Sequence, residues 1–256
     1  MGIKIKKSIP NTITLLNLLC GILAVISAFK GDINAAVYLI IAAAVMDFFD
    51  GFFARLLDAY SDIGKELDSL ADLVSFGLAP SIILYLIYES YLQSVFDGIF
   101  SIPLLLLSLV PLIMVLASAF RLALFNVDIR QKENFIGLPT PANALLIGML
   151  AHFTEHSAKY HNILDNMYVI PLLSLIMAYL LISRIPMFSI KFKNLELTEN
   201  KLRISFLAIS ALFSIPVIIS KSTWSLLGLS ILTFYILFNI AIAINDKLYR
   251  LLKKNR

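Results

Sequence analysis

Long apolar runs separated by short polar segments make up most of the chain. A membrane-spanning helix needs about 20 predominantly apolar residues, and about eight stretches approach or reach that length. These stretches are residues 12–30, 34–57, 69–92, 102–126, 140–156, 167–186, 203–220 and 223–245. The pattern therefore predicts an all-α, polytopic membrane helix bundle of about eight transmembrane helices. We expect residues 1–256 to form one membrane-embedded domain, with a core at 10–190 and two further transmembrane helices within 203–245.

The composition agrees with this membrane class. Hydrophobic residues make up 59% of the chain and charged residues only 15%, whereas soluble domains average about 25% charged residues. The chain has a single cysteine, Cys20, which excludes a framework of disulfides within the chain.

The basic residues predict how the bundle is oriented. If the N-terminus is cytoplasmic, the inward segments hold all but three of the 21 Lys and Arg residues, the exceptions being Lys30, Lys159 and Lys221. The positive-inside rule then places both termini in the cytoplasm, and we expect an integral protein of the cytoplasmic (inner or plasma) membrane. Because topology accounts for these charges, the net charge of +4 gives no reason to expect a nucleic-acid partner.

Four aspartates lie where the second predicted span ends and the third begins: Asp47, Asp50, Asp68 and Asp72. Carboxylates beside apolar runs are costly, so by default they mark a functional site. Their spacings put each pair on one face of a helix, and the short segment at 59–61 would turn the two faces toward each other. Converging carboxylates repel unless cations neutralise them. Hard oxygen ligands suit Mg²⁺ or Mn²⁺, and also Ca²⁺.

Small residues and one arginine accompany the aspartates. Gly51, Ala54 and Gly64 leave space for a ligand to approach the backbone. Arg55 offers a planar positive fork for phosphate oxygens. With bound metal ions, this set describes a site for a pyrophosphate, at the cytoplasmic end of the bundle. For any one of these charged residues alone, an ordinary position at a helix end is the alternative.

The spacing of this segment resembles the signature of the CDP-alcohol phosphatidyltransferase family at every position. The matching positions are Asp47-x2-Asp50-Gly51-x2-Ala54-Arg55-x8-Gly64-x3-Asp68-x3-Asp72. Enzymes of this family replace CMP on a CDP-linked lipid with an alcohol. The resemblance implies that the four aspartates bind one or two divalent ions and that Asp72 is the general base. It further implies that the two glycines, the alanine and the arginine line the CDP pocket, and that the protein is a homodimer.

Further segments resemble the phosphatidylserine synthase branch of the family, which implies CDP-diacylglycerol and L-serine as substrates. They are Pro10-Asn11-x2-Thr14-x2-Asn17 and residues 69–80, 120–127, 135–141 and 183–186. Asn11, Thr14 and Asn17 share one helical face, from which we expect them to contact the nucleotide. Helix capping and hydrogen bonding between helices are their alternative roles.

The acceptor site is less well defined by the sequence. Serine is a zwitterion whose carboxylate needs a cation, and Arg121 at the inner end of the fourth span could bind it. Arg121 could equally bind the lipid-linked phosphate or extend its side chain to the membrane surface. Asn126 is the expected polar partner. The branch often has a second arginine where this chain has Leu124, so no role is transferred to that position.

Two other functions stay open from the sequence alone. A sibling transferase would use glycerol 3-phosphate or inositol phosphate, and the extra phosphate would favour more basic residues around the site. A divalent-cation transporter also carries membrane carboxylates. Transporters place such groups near the bilayer midplane, often at broken helices, whereas these aspartates are predicted at one face.

Overall fold

The computed structural model describes residues 2–97, 101–127, 135–157, 159–188, 201–220 and 222–254. Within these ranges the chain is almost entirely helical. The first half contains α1 (Gly2–Phe29), α2 (Ile33–Leu56), α3 (Asp62–Asp72), a π-helical turn (Leu73–Leu78), α4 (Ala79–Val95), α5 (Ile102–Ser108), a 3₁₀ turn (Val110–Leu112) and α6 (Ile113–Val127). The second half contains β1 (Phe135–Ile136), α7 (Thr140–His156), a 3₁₀ turn (His161–Ile163), α8 (Val169–Ile182), β2 (Pro186–Met187), α9 (Lys201–Ile219) and α10 (Trp224–Lys254).

Five helical stretches of the described chain are long and apolar enough to cross a membrane. They are Ser8–Phe29, Ile33–Leu56, Asp62–Val95, Ile102–Val127 and Trp224–Asn245. The apolar helices Val169–Ile182 and Ile204–Ile219 are shorter, and α7 has 17 residues. An all-helical protein with several candidate membrane spans is therefore confirmed, while eight spans and the orientation of the termini stay predictions.

Helices α1 and α2 form a tight hairpin. Gly31 turns the chain with φ +81°, a conformation that glycine adopts without steric cost. Asp32 then caps α2, since its Oδ1 accepts a hydrogen bond of 2.8 Å from the backbone N–H of Ala35. The two helices share a buried core rich in alanine, and small residues allow backbones in membranes to approach closely. This core contains Ala24, Ala28, Ala36, Val37, Ile40, Ala43, Phe76, Ala79, Ile82, Ile83, Ala144 and Ala151.

The second core lies among the helices that follow. It joins residues of α4, α6, α7, α8 and α10, including Leu84, Tyr88, Met114, Ile147, Met177 and Tyr235. The two-residue strands β1 and β2 pair antiparallel beside it. Next to β1, the backbone N–H of Leu138 donates to the carbonyl of Leu180 at 2.9 Å. This link to the end of α8 fixes the point at which α7 begins, at Thr140.

The helix that carries Asp68 and Asp72 passes into α4 without a break, through the π-helical turn Leu73–Leu78. Turns of this kind are rare and occur mostly as single turns at functional sites. Ser75, inside this turn, is fully buried and packs against Gly21 of α1. A Cβ atom on Gly21 would lie 2.7 Å from Cα of Ser75 and 2.9 Å from its nitrogen. Glycine at this position is what allows α1 to contact the π-helical turn.

We expect Gly21→Ala to destabilise the protein by about 1–3 kcal/mol, the usual cost of overpacking a tight contact. The new methyl group meets backbone atoms, which cannot rotate away as a side chain can. Thermal unfolding of the purified protein in detergent measures the effect. The matched control is Gly148→Ala, whose Cβ would lie 3.5 Å from Cγ1 of Val37, an ordinary contact distance. Equal unfolding temperatures for the two variants would contradict this prediction.

Candidate active site

Helices α2 and α3 bring three of the four aspartates together. One carboxylate oxygen each from Asp47, Asp50 and Asp68 lies within 4.8 Å of the others. Asp50 is only 6% exposed, and the other two are half-buried. The turn between the helices, residues 57–61, is as short as the sequence predicts. The two carboxylate faces therefore meet, as their spacing indicates.

The donor set fits a hard divalent cation. It consists of carboxylate oxygens, which Mg²⁺, Mn²⁺ and Ca²⁺ prefer to nitrogen or sulfur ligands. In addition, Oδ1 of Asp68 is buried and has no hydrogen-bond partner among the described residues. A buried carboxylate oxygen without a partner is costly, and a bound cation would remove that cost. The acidic cluster that the sequence predicts is thus present, while its metal stays a prediction.

Helix α1 supplies hydrogen-bond donors to two of the aspartates. The hydroxyl of Thr14 donates to Oδ2 of Asp50 at 2.7 Å. The amide of Asn17 donates to Oδ1 of Asp72 at 3.3 Å. These contacts orient the carboxylates. Both α1 residues thus lie at the predicted site, where they contact aspartates. For Thr14 and Asn17 the structure shows hydrogen bonding between helices, one of the alternative roles given above. Their contact with the nucleotide stays a prediction.

Asp72 lies beside the three clustered aspartates and is 8% exposed. It interacts electrostatically with Asp47, Asp68 and Asp50. Its partner Asn17 is tied to the π-helical turn, because Ser75 Oγ donates to the backbone carbonyl of Asn17 at 3.0 Å. Ser75 lies within the 69–80 segment that resembles the phosphatidylserine synthase branch, but the sequence alone predicts no role for it.

A cavity of about 200 Å³ lies beside the cluster. Its lining includes five residues predicted to contact the CDP group: Asn11, Thr14, Gly51, Ala54 and Gly64. The lining also contains Pro10, Asp50, Ala59, Tyr60, Ser61, Lys65 and Asp68. Tyr60, Ser61 and Lys65 carry no motif signal of their own, and their place follows from the turn between α2 and α3.

Glycine at position 64 keeps this cavity open at one side. A Cβ there would lie 2.9 Å from both Oδ1 of Asn11 and Oγ of Ser61. Arg55, by contrast, is exposed and is not among the residues that line the cavity. Its guanidinium lies one turn along α2 near Gly51, with Nη1 3.5 Å from where a Cβ on that glycine would be. Contact of Arg55 with the CDP group stays a prediction.

Arg121 is not among the residues that line the cavity, and it lies close to the fourth aspartate, Asp72. It is 7% exposed, interacts electrostatically with Asp72, and donates from Nη1 to Oγ1 of Thr140 at 3.4 Å. A side chain this buried does not extend to the membrane surface. The burial of Arg121 argues against the surface alternative, while its binding of serine or phosphate stays a prediction.

Asn126 connects α6 to α3 at the open end of the site. Its amide donates to Oγ of Ser69 at 2.8 Å, and its backbone carbonyl accepts 2.7 Å from Nζ of Lys65. Lys65 also lines the cavity. Asn126 thus contacts residues around the site, and its own contact with substrate stays a prediction.

Comparison with known proteins places this arrangement in a family. The family model described as CDP-alcohol phosphatidyltransferase matches residues 7–183. This range is more than half of the chain and includes every residue of the site described above. The chain belongs to the CDP-alcohol phosphatidyltransferase family. The family predicted from the 47–72 segment is thereby confirmed.

Curated members of the family resemble the chain over different lengths. A Bacillus subtilis (strain 168) protein named CDP-diacylglycerol–serine O-phosphatidyltransferase is 37% identical over 143 residues, 56% of this chain and 75% of the relative. A Mycobacterium leprae (strain TN) protein of the same name is 32% identical over 247 residues, 93% of this chain and 75% of the relative. The archaetidylserine synthase of Methanothermobacter thermautotrophicus is 33% identical over 159 residues, 60% of this chain and 63% of the relative.

Proposed function

We propose that this member of the CDP-alcohol phosphatidyltransferase family transfers the phosphatidyl group of CDP-diacylglycerol to the hydroxyl of L-serine, giving phosphatidylserine and CMP. The observation that carries the reaction type is the meeting of Asp47, Asp50 and Asp68 beside a cavity, with Asp72 adjacent. The choice of serine rests on the relatives, which are named for serine as acceptor.

The reaction begins with loss of a proton from the serine hydroxyl, which Asp72 accepts as general base. The serine oxygen then bonds to the phosphorus that carries the diacylglycerol. The bond from that phosphorus to the oxygen of CMP breaks, and CMP leaves with the electron pair. The hydrogen bond from Asn17 to Oδ1 of Asp72 holds this carboxylate in one orientation.

The donor substrate would lie with its diphosphate at the aspartate cluster. Asp47, Asp50 and Asp68 would hold Mg²⁺ or Mn²⁺, which, when bound, neutralises phosphate charge and stabilises the departing CMP oxygen. Asn11, Thr14, Gly51, Ala54 and Gly64 line the cavity beside it, where the cytidine would bind. Arg55 would then face phosphate oxygens from the exposed side.

The acceptor would enter between Asp72 and Arg121. Arg121 is a buried cation that would pair with the serine carboxylate. Its electrostatic interaction with Asp72 supports a position next to the base. Charge-assisted contacts of this kind are stronger than neutral ones.

We further propose eight membrane spans with both termini in the cytoplasm. The apolar helices and the inward bias of the basic residues support this arrangement. The aspartates would then open toward the cytoplasm, where serine is available, and CDP-diacylglycerol would enter sideways from the cytoplasmic membrane. We also propose a homodimer, as the family resemblance implies, and the mass of the purified protein in detergent tests it.

Acceptor choice is tested by CMP release from CDP-diacylglycerol by the purified full-length protein, with Mn²⁺ or Mg²⁺ and one acceptor at a time. We expect release that depends on both the metal and L-serine, with radiolabelled serine appearing in lipid. Release that depends on glycerol 3-phosphate or inositol phosphate instead would make the protein a sibling transferase. Cation flux into protein-containing liposomes without CMP release would favour the transporter.

A further inference from the structure

Several buried polar atoms on α6 and α7 have no hydrogen-bond partner among the described residues. They are Oγ of Ser118, Nε of Arg121 and both amide atoms of Asn143. Ser118 and Asn143 are 0% exposed. Buried polar groups are nearly always paired in native proteins, so each exception calls for an explanation. An amide with neither its donor nor its acceptor satisfied is the clearest exception here.

These atoms lie on two helices that run in opposite directions past the active site. Helix α6 runs toward the aspartate end. Cβ of Ser118 lies 3.1 Å from where a Cβ on Gly77 would be, and Asn126, farther along α6, donates a hydrogen bond to Ser69 on α3. Helix α7 runs away from that end, because its His152 makes an edge-on ring contact with Tyr38 near the start of α2, with ring centroids 5.9 Å apart.

The hydrogen bond between Arg121 and Thr140 links α6 to the start of α7. Ser118 precedes Arg121 by three residues, and Asn143 follows Thr140 by three residues. Three residues span about 4.5 Å along a helix. Because α6 and α7 run in opposite directions, the step from Arg121 to Ser118 and the step from Thr140 to Asn143 both lead away from the aspartate end. Residues three apart share a helical face. Ser118 therefore lies about one helical turn beneath Arg121, and Asn143 about one turn beneath Thr140.

Ser118 and Arg121 lie close to the proposed base. Ser118 packs against Gly77, which belongs to the π-helical turn that begins directly after Asp72. Arg121, one turn above, interacts electrostatically with Asp72. We call the buried polar residues Ser118, Arg121 and Asn143 the polar recess. Their unpaired atoms include both donors and acceptors.

We propose that Ser118 and Asn143 bind the ammonium end of the amino-acid acceptor and so determine specificity for it. This inference rests on the proposed function. The acceptor carboxylate pairs with Arg121, while Oδ1 of Asn143 and Oγ of Ser118 accept hydrogen bonds from the ammonium group. The hydroxyl is then left next to Asp72. A sugar or glycerol phosphate has no ammonium group and would leave these acceptors unpaired.

The test compares Asn143→Leu with wild-type full-length protein. Leucine has the same number of side-chain heavy atoms and the same branching as asparagine, but it is larger and has no polar atoms. Hydrogen bonds to charged groups contribute enough that we expect the KM for L-serine to rise about 10- to 100-fold. The KM for CDP-diacylglycerol should change less than about twofold, because that substrate binds elsewhere. The unfolding temperature without serine should stay close to that of wild type, since the loss of unpaired buried polar atoms offsets the cost of the larger side chain.

The matched control is Asn34→Leu. Asn34 also has a buried amide oxygen without a partner among the described residues, but it precedes Asp50 by 16 residues on α2, about 24 Å along the helix. Its KM for serine should equal that of wild type. Ser118→Ala, a smaller change, should raise the KM for serine in the same way and decides the matter if Asn143→Leu does not fold.

The possible outcomes distinguish failure of the assignment of Ser118 and Asn143 from failure of the proposed function. A normal KM for serine in both recess variants overturns the assignment of Ser118 and Asn143. A lower unfolding temperature with equal losses toward both substrates means that the amide is structural, which overturns it as well. Failure of the wild-type protein to release CMP with serine overturns the proposed function itself.

Discussion

Asp72→Asn is expected to lower kcat for serine-dependent CMP release by about 10²- to 10⁴-fold, the usual contribution of a general base. Asparagine has the shape of aspartate but cannot accept the proton. Its side-chain oxygen can still accept the hydrogen bond that Asn17 donates to Oδ1 of Asp72, so the local fold should persist. CDP-diacylglycerol should still bind, which the increase in unfolding temperature on adding this lipid would measure.

The control for loss of negative charge on the same helix is Glu66→Gln. Glu66 is exposed on α3, away from the buried carboxylates, and its variant should turn over like wild type. Turnover of Asp72→Asn within about tenfold of wild type would show that another group takes the proton. If the variant loses both CDP-diacylglycerol binding and turnover, Asp72 would instead be assigned to binding of that substrate.

Asp50→Asn is expected to raise the Mn²⁺ or Mg²⁺ concentration needed for half-maximal activity by at least about 10- to 100-fold. That range is typical of losing an outer partner of a metal site, and Asp50 would be a direct ligand. The variant removes one charge from the cluster with Asp47 and Asp68, while the amide oxygen can keep the hydrogen bond from Thr14. Metal titration of CMP release measures the shift.

Asp58→Asn is the matched control for the Asp50 variant. Asp58 lies in the turn after α2 with φ +49°, a conformation that asparagine tolerates well. Its metal requirement should not change. A chelator should abolish activity in the wild-type protein and in this control alike, with recovery on adding metal. An unchanged metal requirement in Asp50→Asn would remove Asp50 from the metal site.

The acidic cluster could be predicted from the sequence because its geometry is local. The spacings of three and four residues put Asp47 with Asp50, and Asp68 with Asp72, on single helix faces whatever the rest of the bundle does. The short turn between α2 and α3 then leaves little freedom in how the faces meet. Apolar runs likewise marked helices, since backbone groups inside a bilayer must be satisfied within a helix.

The parts that the sequence did not predict depend on contacts between distant segments. Nothing in the residues around Ser75 indicates a π-helical turn or a bond to the carbonyl of Asn17. The recess residues Ser118 and Asn143 look like ordinary small and polar residues within apolar runs. Their lack of partners becomes visible only when α6 and α7 are packed within the bundle, because hydrogen-bond satisfaction is a property of the packed chain.

The unbroken helical stretch Asp62–Val95 has 34 residues and is about 50 Å long at the usual helical rise. The hydrocarbon layer of a bilayer is only about 30 Å thick, so a length of roughly 20 Å extends beyond it. That excess is close to the length of the 11-residue polar helix α3, so in the proposed arrangement Asp68 and Asp72 would lie near the level of the lipid phosphates. A lipid-linked diphosphate would then reach the carboxylates without being lifted out of its leaflet. Because the stretch is continuous and stiff, a thicker or thinner bilayer would change the height of the carboxylates relative to those phosphates.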